Sequence, residues 1–169
     1  MSRSGKIFKA LVFCLVGGVV SYIAIAVGYI VWHTSQCRAF CKTAASLPHE
    51  ELADFASRCD ALLASNASML ATSTYGSVFI RDADTLSRFE LAGKRPQDIY
   101  VSIRLSGRVV LSYLGIGRMA ARIDWQDYSQ WGEQVWKLSG TPGEGGSITI
   151  YERKKVVQPS APANRPTDG

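Results

Sequence analysis

The chain has 169 residues, of which 47% are hydrophobic, and its formal net charge is +5. This positive charge lies towards the ends, because residues 44–153 hold 11 basic and 13 acidic side chains. A nucleic-acid-binding domain concentrates basic side chains on its folded surface, so the distribution argues against nucleic acid as a partner.

Residues 10–32 form an apolar run without a charged side chain. As a helix the run is about 34 Å long, which is enough to cross a hydrocarbon core of about 30 Å. It continues past the small residues at positions 24–26, which resemble a signal-peptide cleavage site, and it exceeds the length of most signal-peptide apolar regions. We therefore predict a retained single-pass transmembrane helix over 10–32, anchored in the lipid bilayer.

The charges that flank this run predict its orientation. Arg3, Lys6 and Lys9 precede it, and Arg38 and Lys42 follow it. Basic residues accumulate on the cytoplasmic side of a membrane. We therefore expect residues 1–9 to be cytoplasmic and the bulk of the protein to be an extracytoplasmic (periplasmic) domain at a cell inner membrane.

Small residues form a stripe along one face of the predicted span. They recur at alternating steps of three and four, at Cys14, Gly17, Ser21, Ala24 and Gly28. Small side chains let membrane helices approach closely, although glycine is also common in membrane helices in general. A packing role for this small-residue stripe would make membrane protein subunits, or a second copy of the chain, the partners.

Residues 33–47 are predicted to be a juxtamembrane stalk, and residues 48–155 an α+β domain. Apolar residues have a helical period over 48–65, with Pro48 in the first turn. The period then changes to two, which is typical of strands. Candidate strands cover 75–81, 99–105, 108–114, 119–125, 134–139 and 147–153, and a short helix covers 84–93.

The spacing of these strands predicts a mostly antiparallel sheet of five to six strands with one helix packed on a face. Ser106-Gly107 is typical of a hairpin turn. Asp84 is the expected N-cap of the short helix, and Gly93 its terminator. Residues 156–169 have a proline-rich composition that predicts disorder.

No catalytic set is evident in the sequence. The two histidines, His33 and His49, both precede the predicted sheet. Residues 115–120 match a dinucleotide-binding pattern by letter, but no strand–helix–strand unit surrounds them. Asp84 and Asp127 are better explained as a cap and a turn residue. We therefore predict that the protein is not an enzyme.

Aromatic residues cluster late in the domain, at Trp125, Tyr128, Trp131 and Trp136. Such a cluster could form a ligand or protein contact, but core filling with one exposed edge is the commoner role. A contact surface would suit a ligand-sensing domain.

Three cysteines lie on the extracytoplasmic side, where disulfides form. A bridge from Cys59 to Cys37 or Cys41 would attach the helix over 48–65 to the stalk. The Cys37–Cys59 bridge would close a loop of about 20 residues and contribute about 3 kcal/mol in the chain-entropy model. Structural thiols without a bridge are the second interpretation.

A metal site is the third interpretation of the same segment. His33, Cys37 and Cys41 would share one face of a helix, with Cys59 or His49 as a further ligand. Nitrogen and sulfur ligands suit zinc or cuprous copper, and no other cofactor is expected. The Cys-x-x-x-Cys spacing beside a membrane anchor resembles that of copper-delivery proteins of respiratory oxidases. The resemblance is confined to that spacing, because no strand precedes Cys37.

These features predict a membrane-anchored accessory, scaffold or assembly subunit of a membrane protein complex, which acts by protein–protein contacts. The alternative is an extracytoplasmic redox or metal-handling factor that uses the juxtamembrane cysteines and histidines. A ligand-sensing domain is the third hypothesis.

Overall fold

The computed structural model describes residues 3–103, 107–115, 120–128, 135–142 and 146–154. These residues form four helices, α1 Arg3–Ala45, α2 His49–Ser65, α3 Ala67–Thr72 and α4 Ala83–Ser87. They also form six strands, β1 Ser77–Ile80, β2 Asp98–Ser102, β3 Arg108–Leu114, β4 Ala121–Asp127, β5 Val135–Pro142 and β6 Ile148–Lys154. The α+β class predicted from the sequence is confirmed, and the predicted disordered tail lies outside the described residues.

The six strands form one open antiparallel sheet, ordered β1-β2-β3-β4-β5-β6 as in the chain. The register places Val101 opposite Val109, and Val109 opposite Trp125. Burial alternates along β3 and β4, because successive side chains of a strand point to opposite faces. One face of the sheet is therefore apolar and buried.

Two helices cover this inner face. The last part of α1 contributes four buried residues, Cys37, Phe40, Cys41 and Ala44. Helix α2 contributes four more, Leu52, Phe55, Ala56 and Cys59. The spacings of three and four place each set on one helix face, which packs on the sheet as the core. The sequence predicted one packed helix, and the second is the continuation of α1.

Helix α1 has 43 residues and is therefore about 64 Å long. It contains a stretch that is long and apolar enough to cross a membrane, and the rest of the protein buries none of that stretch. The predicted stalk is mostly helical, because residues 29–45 contain neither glycine nor proline to end the helix. One helix thus joins the candidate membrane span to the domain without interruption.

The opposite, outer face of the sheet is half-buried and more polar. Arg108 donates from Nε to both carboxylate oxygens of Asp124, at 2.9 Å each, and these hydrogen bonds raise the pKa of Arg108. Nearer the first strand, the rings of Phe79 and Tyr100 lie 4.9 Å apart. Phe79 is 64% exposed, so an aromatic side chain faces solvent beside the edge of the sheet.

Local structure differs from the prediction around α4. Asp82, not Asp84, caps the helix, since its carboxylate accepts a hydrogen bond from the Thr85 backbone N–H at 2.8 Å. This hydrogen bond lowers the pKa of Asp82. Gly93 lies beyond the end of α4 with φ +70°, in a separate turn. Helix α3 was not predicted, because six residues are too few for a helical period to stand out.

Candidate functional site

Cys37 and Cys41 lie where α1 meets the sheet. The Cys37 sulfur is 3.3 Å from Nδ1 of His33, one helical turn earlier, and 4.0 Å from the carbonyl oxygen of Leu114. Cys41 packs on Gly140 of β5, where an added Cβ atom would lie 3.2 Å from the Cys41 sulfur. Both cysteines are therefore buried contacts between the helix and the strands.

Cys59 is fully buried on the inner face of α2. Burial strongly raises the pKa of its thiol, and burial likewise raises the pKa of the nearby Tyr113. The Tyr113 hydroxyl donates a hydrogen bond of 2.7 Å to the carbonyl oxygen of Phe89. Because the thiolate is the reactive form of cysteine, a buried thiol with a raised pKa behaves as a core residue.

The predicted disulfide between Cys59 and Cys37 or Cys41 is not formed, and the cysteines of the structure carry thiols. The helical register of α1 explains this difference. It places Phe40 on Tyr113, with ring centroids 4.8 Å apart, and directs the sulfurs of α1 at the strands. The sulfurs of Cys37 and Cys41 therefore both contact the strands of the domain.

The predicted metal ligands are brought together only in part. His33 and Cys37 are in contact, but no group of three His, Cys, Asp or Glu side chains suited to a metal occurs among the described residues. His49 lies elsewhere, with its ring centroid 4.9 Å from that of Tyr151.

The small-residue stripe is exposed along α1 at Cys14, Gly17, Ser21, Ala24 and Gly28. A Cβ atom added at either glycine would meet no atom within 4 Å. The stripe is thus accessible to another helix, and its packing role stays a prediction.

The predicted aromatic cluster is divided between the core and the surface. Trp125 is 2% exposed and belongs to the core, with its ring 6.3 Å from that of Trp136. The guanidinium of Arg153 lies 5.4 Å from the centroid of the Trp136 ring. Tyr128 is half-buried, and Trp131 lies outside the described residues. Trp125 therefore contributes to stability and does not present a contact surface.

A groove that the sequence did not reveal runs beside β1, the first strand of the sheet. Its volume is about 790 Å³, and it lies between β1 and the helices α2, α3 and α4. Ligand sites typically measure about 300–1,000 Å³, so the groove is large enough for a specific partner. Its lining combines apolar side chains, among them Leu62, Met69, Val78, Ile80 and Phe89, with Arg58, Arg81 and Arg88.

Comparisons of the chain with known protein families, with curated proteins and with solved structures found no match. The candidate site is therefore defined by geometry alone. Its two parts are the groove beside β1 outside the predicted span and the small-residue stripe within it.

Proposed function

We propose that the protein is a single-pass membrane-anchored accessory subunit that binds other subunits of a membrane complex. The observation that carries the proposal is the continuity of α1, which is at once the candidate membrane span and part of the domain core. A subunit built this way presents its domain to neighbours at a defined height and rotation.

The geometry of the junction supports a domain that lies close to the bilayer. Cys37, the first buried residue after Trp32, follows it by five residues, which is a rise of about 7–8 Å. Trp32 is 59% exposed and suits the aromatic belt of a membrane interface. No flexible linker separates this belt from the packed part of the helix.

The distribution of charge supports an N-terminus in the cytoplasm and a domain outside it, at a cell inner membrane. Three basic residues precede the span within nine positions, against two in the segment that follows it. The bias of basic residues towards the cytoplasmic side then directs the domain outwards.

Binding rather than catalysis is the role we assign to the domain. On the outer face of the sheet, Nε and Nη2 of Arg108 donate hydrogen bonds to the carboxylate of Asp124 in a bidentate ion pair. The cysteines of the domain, Cys37, Cys41 and Cys59, are buried. The surfaces that we assign to partners are the groove beside β1 and the small-residue stripe.

Photo-crosslinking in native membranes tests this proposal. Ser21 lies on the small-residue stripe, and Ile23 lies at the same depth about 200° around the helix. We expect a photo-crosslinking residue at position 21 to give a discrete adduct that position 23 does not give. A second such residue at Phe79 reports contacts outside the membrane.

The chain should also migrate in native electrophoresis, after mild detergent extraction, as part of a larger species. A lone monomer that gives no adduct at either position 21 or position 79 would refute the subunit role.

A metal-handling role is the second candidate, and the contact of 3.3 Å between His33 Nδ1 and Cys37 Sγ favours it. It predicts zinc or copper at about one ion per chain in protein purified without chelators. It also predicts that His33→Ala releases that metal, whereas His49→Ala does not. Metal-free protein that stays in its complex would rule this candidate out.

A further inference from the structure

Strand β1 is an edge strand, and its register shows which of its backbone groups face outwards. Ile103 donates its N–H to the carbonyl oxygen of Gly76, and hydrogen-bonded pairs alternate along an antiparallel ladder. Val78 and Ile80 therefore bond to β2, whereas the N–H and C=O of Phe79 point away from it. No described strand pairs with this outer edge of β1.

The groove lies directly beside this edge. On its inner side, Val78 and Ile80 are half-buried and continue the apolar layer of the sheet. Leu62 of α2 and the 48% exposed Met69 of α3 form one wall, and α4 lies on another side. The space next to β1 is thus bordered by the outward N–H and C=O of Phe79 along the edge and by apolar side chains on the inner side. The outward carbonyl of Ser77 already accepts a hydrogen bond from Ser73 Oγ at 3.2 Å.

Positive charge surrounds the groove. Arg81 and Arg88 form no ion pair with another described residue. Arg58 pairs with Asp54 at 3.2 Å, yet its Nε is buried without a hydrogen-bond acceptor among the described residues. Asp82 is the single acidic residue of the lining, and its carboxylate already caps α4. A ligand that supplies carboxylates would therefore complement the groove.

We infer that β1 binds an extended, acidic segment of a partner protein as a seventh strand of the sheet. This inference rests on the proposed function and names the chemistry of the partner. The segment's backbone pairs with Phe79, and its alternate side chains enter the apolar groove. Its carboxylates meet Arg81, Arg88 and Arg58. Main-chain pairing supplies affinity in this mode of recognition, and the side-chain pockets supply specificity.

Charge decides between such a partner and a second copy of the chain. Two copies paired through β1 would bring identical arginine-rich grooves together, and like charges in contact oppose association. An acidic segment gains from the same arginines, and its binding weakens as salt rises.

The probe is a library of random linear dodecapeptides displayed on phage and selected on the full chain in lipid nanodiscs. We expect the selected peptides to carry net negative charge and alternating apolar residues. A synthetic copy of the most enriched peptide then serves for affinity measurements by fluorescence polarisation. Hydrogen exchange should slow at the Phe79 amide when this peptide binds.

Two pairs of variants separate the contribution of charge to peptide affinity from the contribution of backbone pairing. Arg81→Glu with Arg88→Glu should weaken peptide binding at least tenfold, whereas Lys94→Glu, an exposed charge reversal outside the groove, should change it less than twofold. Phe79→Pro and Phe79→Ala both remove the ring, but only proline removes the outward N–H. Proline should therefore bind at least tenfold more weakly than alanine. If Phe79→Pro fails to fold, the peptide affinity of the Arg81→Glu, Arg88→Glu double variant still tests the inference.

Selection of no peptide, selection of peptides without acidic character, or unchanged affinity in the arginine double variant would overturn the inference. So would a dimer of the full chain that Phe79→Ala retains and Phe79→Pro abolishes, since a second copy would then occupy the edge. If peptide binding fails while the photo-crosslinking residue at position 21 still gives its adduct in the otherwise unchanged chain, only this inference is refuted. If no adduct forms at position 21 or position 79 and the larger native species is absent, the proposed function is refuted as well.

Discussion

The two halves of α1 share one continuous backbone and have opposite surroundings. Residues 11–32 are apolar on all sides, and their side chains project away from the protein, as in Phe13 at 84% exposure. Residues 33–45 are polar except along one buried stripe, which includes Phe40 at 6% exposure. The first pattern is that of a candidate membrane span, whereas the second is that of a helix packed on a core along one side.

The helix therefore has two separate sources of stability. In the first half every backbone group bonds within the helix, as a bilayer demands. In the second half the helix is held by side chains that pack on the sheet, so a substitution of these side chains destabilises the domain. The two halves should therefore contribute independently to the free energy of unfolding, although one continuous helix joins them.

The largest effect is expected from Phe40→Ala. The side chain is buried and packs on Tyr113 at 4.8 Å, and truncation of a buried phenylalanine costs about 3–5 kcal/mol. Urea unfolding of the full chain in detergent, followed by tryptophan fluorescence, measures the loss. Phe13→Ala is the matched control, because the same truncation in the span leaves the domain core intact. Equal losses in both variants would contradict the separation of the two halves.

Ser35→Pro tests the continuity of the helix at its junction. Ser35 is exposed, so the substitution alters the backbone: it removes the hydrogen bond to the Val31 carbonyl and clashes with that group, at a cost of about 3 kcal/mol. We expect the helix to kink and the domain to lose its fixed orientation.

Spin labels at Ile23 and Ala39 report this kink. In the native helix they are separated by about 24 Å along the axis and should give one narrow distance distribution. Ser35→Pro should broaden or shift the distribution, whereas Ser35→Ala should leave it unchanged. A narrow, unshifted distribution in the proline variant would mean that the two halves are joined by more than the helix.

Gly140→Val tests how closely the second half approaches the sheet. An added Cβ atom would lie 2.9 Å from Cδ1 of Ile150 and 3.2 Å from the Cys41 sulfur. Ile150 can rotate aside, but Cys41 can move only with the helix, so we expect a loss of about 1–3 kcal/mol. Ser139→Val, on the opposite face of β5, should stay within about 0.5 kcal/mol in the same unfolding assay.

The sequence anticipated those parts of the fold where the apolar period is strong. The strand predicted over 108–114 and the helix predicted over 48–65 agree with β3 and α2 to within one residue. A helix through residues 33–45 was considered only for the metal site, and its packing on the sheet was not predicted, because one stripe alone is buried and the polar remainder resembles a connector. The capping role of Asp82 instead of Asp84 was missed because two carboxylates of the same kind lie two residues apart, and the sequence does not show at which of them the helix begins.

The candidate site was less predictable than the fold. Spacing along the helix showed that Cys37 and Cys41 share a face, but it did not show that the face packs on strands. The groove beside β1 had no signal at all, since Arg58, Val78 and Arg88 come from three separate segments. Such a site depends on which strand lies at the edge of the sheet. The apolar period of a single segment does not determine the strand order.

Tyr113→Phe should have the smallest effect, and it separates the two roles of this tyrosine. The ring that supports Phe40 is retained, and only the hydrogen bond of 2.7 Å from the hydroxyl to the Phe89 carbonyl is lost. Removal of a buried hydrogen bond costs about 1 kcal/mol of folding free energy. The cost is larger where the Phe89 carbonyl finds no other donor. Tyr75→Phe is the control, because Tyr75 is 76% exposed. A loss as large as that of Phe40→Ala would mean that the second half of α1 depends on the position of β3 against the loop at Phe89, and not on ring packing alone.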